Sequence, residues 1–345
     1  MHVWTETPVA TIWSHLRYFE APANVRNLLT GATRSLRQVP WPPTEETNLR
    51  ADEVASCIRQ ASEYFAASRM VGLATSPLLQ FYCAQALAKA AILCSDPNVT
   101  LVELRYHGLS TRPSTAGSLE RGPLQAYAST PADWTLEREF AVVNEGVFPH
   151  LARVVGDSVP RTGAVLHLQE LLRLVPELAE VYQRHYGESS HCFPLYSKAK
   201  RGEPFAVWFQ EKSLGDILAV FPELSTDLER HDDHDQPGFR RRDGQAEAPP
   251  WAKIVRHSVA GHFLVRPHPC LVYKPLSVLF ASSFIMSNIV RYKPAFWMRA
   301  LDGAASGTVG ILEQLCTTIE RRFAHDILEC IWQERFSFGS PGYLA

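Results

Sequence analysis

Apolar positions in this chain recur mostly three and four residues apart, the spacing of helices that bury one face. From Asp52 to Arg69, the residues Val54, Ala55, Ile58, Ala61 and Phe65 mark one such face. Ser76-Pro77 predicts the next helix start, with the serine as N-cap and the proline in the first turn. The Ala- and Leu-rich run that follows is apolar almost all round to Leu93, and Asp96-Pro97 stops it. An uncharged run from Pro275 to Val290 predicts a second buried helix, and a final amphipathic helix is expected from Thr308 to Phe336. Only Phe205 to Phe209 and Gly261 to Val265 read as strands.

Between these elements the pattern changes. Residues 105–137 are polar and turn-rich and predict an extended loop with short strands. The segment from Leu168 to Arg184 aligns without gaps to that from Leu214 to Arg230, and both read as helix, bend, helix, with Pro-Glu-Leu opening the second helix. Two copies are too few for a solenoid. His231 to Pro250 is charged and predicts a flexible surface loop; its HDDHD run holds competent metal ligands, but nothing fixes their geometry, so no metal is expected. These shifts divide the chain into an aromatic, Pro-rich segment (1–50), a helical core (51–230), the loop (231–250) and a C-terminal helical part (251–345).

The 345 residues carry a formal net charge of −2, with 46% hydrophobic and 20% charged residues, which fits a globular chain and gives no global attraction to nucleic acid or anionic membrane. Seven scattered cysteines without a CxxC pair argue against a zinc knuckle and fit a reducing, cytoplasmic setting. No secretory signal is visible at the N-terminus. The two longest uncharged stretches contain proline, glutamine, serine or asparagine, so they read as buried helices rather than membrane spans.

Phosphate loops, dinucleotide fingerprints, nucleophile elbows and zinc-protease helices are absent, and no cofactor is expected. The polar exceptions on the two apolar helices are more informative. Tyr82, Gln85 and Lys89 share one helix face, and Ser287, Asn288 and Arg291 share another. If the stripes face each other they build a cationic, hydrogen-bonding pocket between core helices, or else a buried structural network. The segment Arg105-Tyr106-His107-Gly108-Leu109-Ser110-Thr111-Arg112 adds arginine forks suited to phosphate and a histidine suited to proton transfer near neutral pH.

The segments SPLLQFYCAQALAKAAILCSDPN, YHGLSTR, LQELLRLVPEL and FIMSNIVRYKPAFW resemble the YaaC-like protein family over nearly the whole chain. More remotely, the Tyr-containing Ala-rich helix and the following His-Gly turn are similar to HEPN domains. That likeness implies a mainly α-helical, HEPN-like bundle with additional helices and a minor β element, often dimeric or paired with a partner protein. It also implies metal-independent ribonuclease activity of the kind found in toxin–antitoxin and antiviral systems. The Arg/His pair typical of active members is not marked out here: about three such pairs are expected by chance, and three occur. The expectation is therefore a protein that recognises RNA or an anionic nucleotide, with His107 and Arg112 as catalytic candidates and Arg105, Tyr82, Gln85, Lys89, Asn288 and Arg291 as ligand-binding candidates. The alternative is a non-catalytic interaction or scaffold subunit.

Overall fold

Ser76–Ser95 forms a 20-residue helix in which fifteen residues are buried, from Ser76 and Pro77 through to Cys94. Its alanines explain how it can be enclosed: Ala84, Ala88 and Ala91 let neighbouring helices approach closely, while Phe81, Leu87 and Leu93 fill the gaps between them. Fully burying each of these larger side chains contributes about 1.5–3 kcal/mol. The helix starts one residue earlier than expected. Thr75, not Ser76, holds the cap position and its side chain makes no capping bond, while Pro77 lies in the first turn.

The protein is described from a computed structural model, covering residues 1–31, 40–111, 135–197, 206–209, 214–231, 238–242, 255–258, 261–266, 274–302 and 308–339. Among these residues the helices are α1 (Pro8–Arg17), α2 (Pro22–Leu29), α3 (Glu45–Ser68), α4 (Ser76–Ser95), α5 (Val147–Val154), α6 (Leu168–Leu172), α7 (Ala179–Tyr186), α8 (Leu214–Val220), α9 (Glu223–Asp227), α10 (Pro275–Tyr292), α11 (Pro294–Leu301), α12 (Thr308–Thr318) and α13 (Ala324–Trp332). The strands are β1 (His2–Trp4), β2 (His107–Ser110), β3 (Phe140–Gly146), β4 (Val165–His167), β5 (Cys192–Ser197), β6 (Ala206–Phe209), β7 (Leu228–Arg230), β8 (Gly238–Arg241), β9 (Val255–Ser258), β10 (Gly261–Val265) and β11 (Ser337–Gly339). The fold is mainly helical with small sheets.

Two units divide the chain, the first formed by Met1–Gln169, Cys270–Ala305 and Leu315–Ala345, the second by Glu170–Pro269 and Ser306–Gln314. This division cuts across the ranges 51–230 and 251–345 marked out by composition.

In the first unit, α4 packs against α3, α5, α10 and α13. Helix α3 begins at Glu45, ahead of its apolar stripe, because Thr44 Oγ1 accepts from Thr47 N at 3.3 Å and two glutamates occupy the first turn. The buried Arg50 on α3 donates to the backbone carbonyls of Asp96, Pro97 and Val99, closing the C-terminal end of α4. An antiparallel sheet of order β2-β3-β4 lies in the same unit. Strand β1 pairs in parallel with β11, His2 opposite Ser337.

The expected C-terminal helix is two helices. A π-helical stretch, Ile319–Phe323, interrupts the ladder between α12 and α13, and Gln333 at φ 54° ends α13 in the left-handed region. Beyond it, Phe336 N donates to Glu329 Oε1 at 2.8 Å, and Phe336 O lies 3.0 Å from His325 Nε2. Burial alone pushes the His325 imidazole down, but its hydrogen bond to Asp326, the charges of Asp326 and Glu329, and the Phe336 carbonyl together hold it above the ordinary value. A raised folded-state pKa contributes stability that is complete below the unfolded value of about 6.5 and lost as pH rises through the folded one. The melting temperature of His325→Gln is therefore expected to fall short of wild type at pH 5.5 and to converge on it at pH 8.5. An equal deficit at both pH values in differential scanning calorimetry would refute this ion-pair role.

The second unit is built on a six-stranded antiparallel sheet of order β7-β8-β6-β5-β10-β9. Phe193, Leu195, Val207, Phe209, Phe239 and Leu264 bury one side of it against Ile217, Phe221 and Leu224. Both strands expected from sequence are present. The first aligned segment forms helix, bend, helix as α6 and α7; the second does so as α8 and α9 but ends in strand β7 at Leu228–Arg230. The expected loop from His231 to Pro250 is corrected in part: Gly238–Arg241 is strand β8, paired on both sides. Only Phe239 had to be apolar for that, because Arg240 points outward and the ladder uses backbone groups alone. The HDDHD run and the rest of that segment lie outside the described residues, apart from His231, Arg241 and Arg242.

Candidate functional site

The two polar stripes do meet. Helices α4 and α10 pack together, and Arg291 Nη1 on α10 donates to Tyr82 Oη on α4 at 3.3 Å. The guanidinium is held on its own helix by Nε to Ser287 O at 3.3 Å and Nη2 to Asn288 Oδ1 at 3.5 Å. Asn288 is itself fixed by donating Nδ2 to Phe284 O at 3.0 Å. Tyr82 stacks on Tyr64 of α3, with ring centres 5.4 Å apart, and Arg291 lies over the rings of Tyr82 and Tyr292 at 5.9 and 5.0 Å.

Strand β2 brings His107 to the same place. Its ring meets Phe81 edge-on, with centroids 5.2 Å apart, and Phe284 at 5.9 Å. Gly108 follows at φ +77°, where a Cβ would come within 2.6 Å of Phe148 N. Facing it, Gly146 has φ +133°, and a Cβ there would come within 2.5 Å of Tyr106 O. The register shift between His107 and Leu109 needs both glycines, and it turns the imidazole toward α4 and α10. Burial first, then the charges of Arg291 and Lys89, hold His107 below the ordinary histidine range. Its Nδ1 is buried and has no hydrogen-bond partner among the described residues.

Tyr82, His107, Asn288 and Arg291 thus form one cluster, which the charge of Lys89 reaches at His107, and among the described residues no carboxylate ion pair is formed by Lys89 or Arg291. Gln85 is buried on the same helix. Arg105 is exposed and its guanidinium covers Tyr106 at 4.7 Å, so it stands outside the cluster as a surface cation. Arg112 lies outside the described residues. Sequence reasoning missed Tyr64, whose position on the α3 face was the available signal, and the aromatic seat made by Phe81 and Phe284, which looked like ordinary core.

Nearby, Lys293 Nζ and Glu139 Oε1 form a buried ion pair at 2.5 Å, joining the start of β3 to the end of α10. Asp157 Oδ2 accepts from Lys274 N at 2.8 Å, fixing the start of α10. Both contacts hold the frame that carries Arg291. Among the described residues no group of three or more His, Cys, Asp or Glu is placed to hold a metal ion, and six cysteines form no disulfide. Helix α4 is long and apolar enough to cross a membrane by length and composition, and most of it is buried inside the protein.

Residues 17–331 match the family described as YaaC-like protein. The chain belongs to the YaaC-like family. No curated protein and no solved structure matches it. Within this YaaC-like chain the match takes in α2 through most of α13, and so includes every residue of the cluster.

Proposed function

We propose that this YaaC-like protein recognises RNA or a free anionic nucleotide at the Tyr82–His107–Arg291 cluster, within a HEPN-like helical core and a cytoplasmic setting. One observation carries the reading: the buried, unpartnered Nδ1 of His107 lies where the charges of Arg291 and Lys89 reach it, and no carboxylate among the described residues forms an ion pair with either cation. Such a place is stabilised by an incoming phosphate, and the exposed Tyr292, covered by Arg291 on one side, offers its other face to a base. With RNA as substrate, His107 takes the proton of a 2′-hydroxyl. The freed oxygen attacks the adjacent phosphorus, the 5′-oxygen leaves with a proton from solvent, and a 2′,3′-cyclic phosphate remains. Arg291 and Lys89 stabilise the extra negative charge on the pentacoordinate phosphorus. No metal is needed for this chemistry. A role in antiviral or toxin–antitoxin defence would follow from such an activity.

A second reading has its own observation. Arg291 already commits Nε, Nη1 and Nη2 to Ser287, Tyr82 and Asn288, as a structural arginine would. In that case the chain is a non-catalytic interaction subunit, alone as a homodimer or with a partner protein. The two separate in fluorescence anisotropy with a labelled single-stranded RNA and with ATP and GTP, read beside a denaturing gel for cleavage. Binding that falls at least tenfold in His107→Ala and Arg291→Ala supports the site. Wild-type behaviour in both variants, or no binding by the intact protein, supports the interaction subunit.

A further inference from the structure

Three helices of the first unit end around one cavity of about 460 Å³. Its wall is made of residues at or near those ends: Ser95 and Asp96 from α4, His150 and Arg153 from α5, Glu329 and Cys330 from α13, with Ile92 and Gln333 also lining it. The volume falls in the range of small-molecule sites, and the cavity shares no residue with the His107 cluster.

Its charges are arranged in two halves. Asp96 Oδ1 accepts from Asn98 N, and Glu329 Oε1 accepts from Phe336 N and lies 3.6 Å from His325 Nε2; the second oxygen of each has no hydrogen bond among the described residues. Arg50 already closes the end of α4 and Arg153 lies in the last turn of α5, so of the three helix C-termini that of α13 adds its partial negative charge to this half. The other half is Arg153. It has no carboxylate partner among the described residues, and its Nη1 lies 3.2 Å from His150 Nδ1. Arginine can only donate, so His150 Nδ1 accepts and its ring carries the proton on Nε2. Burial, then the charge of Arg153, holds His150 below its ordinary range against the opposing charges of Glu103 and Asp96.

Gln333 supplies a separate reason to look here. It is the one non-glycine at positive φ among the described residues, at a position where glycine is the unstrained choice. Its amide side chain lines the cavity wall.

We propose that this cavity binds a small zwitterion, a free α-amino acid, whose carboxylate meets Arg153 and whose ammonium meets Asp96, Glu329 and the C-terminus of α13. A pure cation would leave Arg153 unused, and a pure anion would face the two carboxylates.

Isothermal titration calorimetry of the full chain with each of the twenty standard L-amino acids tests this. The expected result is saturable binding of at least one, weakened tenfold or more in Arg153→Gln and in Asp96→Asn. Both side chains lie at the surface end of their helices, and a circular dichroism spectrum confirms that the variants fold. The N-acetyl derivative and the decarboxylated amine of that amino acid should each bind at least tenfold more weakly. No binding by any of the twenty at about 5 mM, which excludes affinities near the millimolar range, would overturn the proposal. So would undiminished binding of the bare amine, which makes the cavity a cation site, or binding indifferent to Arg153→Gln. The result is independent of RNA or nucleotide binding, because none of the substituted residues belongs to the His107 cluster.

Discussion

Gly146→Ala is expected to destabilise the protein by about 3 kcal/mol, a fall in melting temperature of roughly 6–12 °C. Two costs combine. The backbone at φ +133° is one that L side chains rarely adopt, and the new Cβ would lie 2.5 Å from Tyr106 O and 2.7 Å from Gly108 N. Both contacts are with backbone, so no side chain can swing aside. Gly108→Ala meets the same problem from the opposite strand, with Phe148 N at 2.6 Å. The two glycines act on one bulge, so the double variant should lose less than the sum of the singles. Calorimetric melting of the three variants measures this. A loss below about 1 kcal/mol for Gly146→Ala would mean that the bulge relaxes freely and does not fix His107.

Arg291→Ala is expected to lower affinity for RNA or nucleotide by about 100-fold, the loss of a charge-assisted contact of roughly 2–3 kcal/mol. It should also change the titration of a different residue. Burial is the first cause of the lowered His107 value and the Arg291 charge the second, so removing that charge moves the imidazole back toward the ordinary range. Imidazole proton chemical shifts, followed against pH in wild type and variant, read this directly. In a ribonuclease the acid limb of the pH–rate profile moves to higher pH along with them. If the imidazole titration shifts while affinity stays unchanged, Arg291 is a structural neighbour of His107 and the ligand lies elsewhere.

Much of the helical unit is legible in the residues themselves. Periodic spacing marks α3, through Val54, Ile58, Ala61 and Phe65. A near-complete lack of charge marks α4 and α10 instead, and it exposes Tyr82, Lys89 and Arg291 as exceptions that demand company. The meeting of the two stripes stayed a conditional expectation, because a single sequence does not say which helices are neighbours. Strand β8 hid among charged residues since one buried phenylalanine and a backbone ladder suffice for it. The cavity at the helix ends was invisible for a different reason: its wall draws on Asp96, Arg153 and Glu329, which no local pattern connects. The π-helical stretch at Ile319–Phe323 leaves the apolar spacing nearly intact, so periodicity read one helix where there are two.

The first unit is assembled from three separated stretches of chain, and this sets the order of events on the ribosome. Helix α4 emerges with α3 beside it, but α10 follows only after roughly 200 further residues, about 10–40 s of translation. Helix α13 comes later still. Through that interval a helix apolar on nearly every side lacks two of its four neighbours, which makes the nascent chain a natural client of holding chaperones. Protein truncated before α10 should accumulate as aggregate, however well residues 170–269 fold.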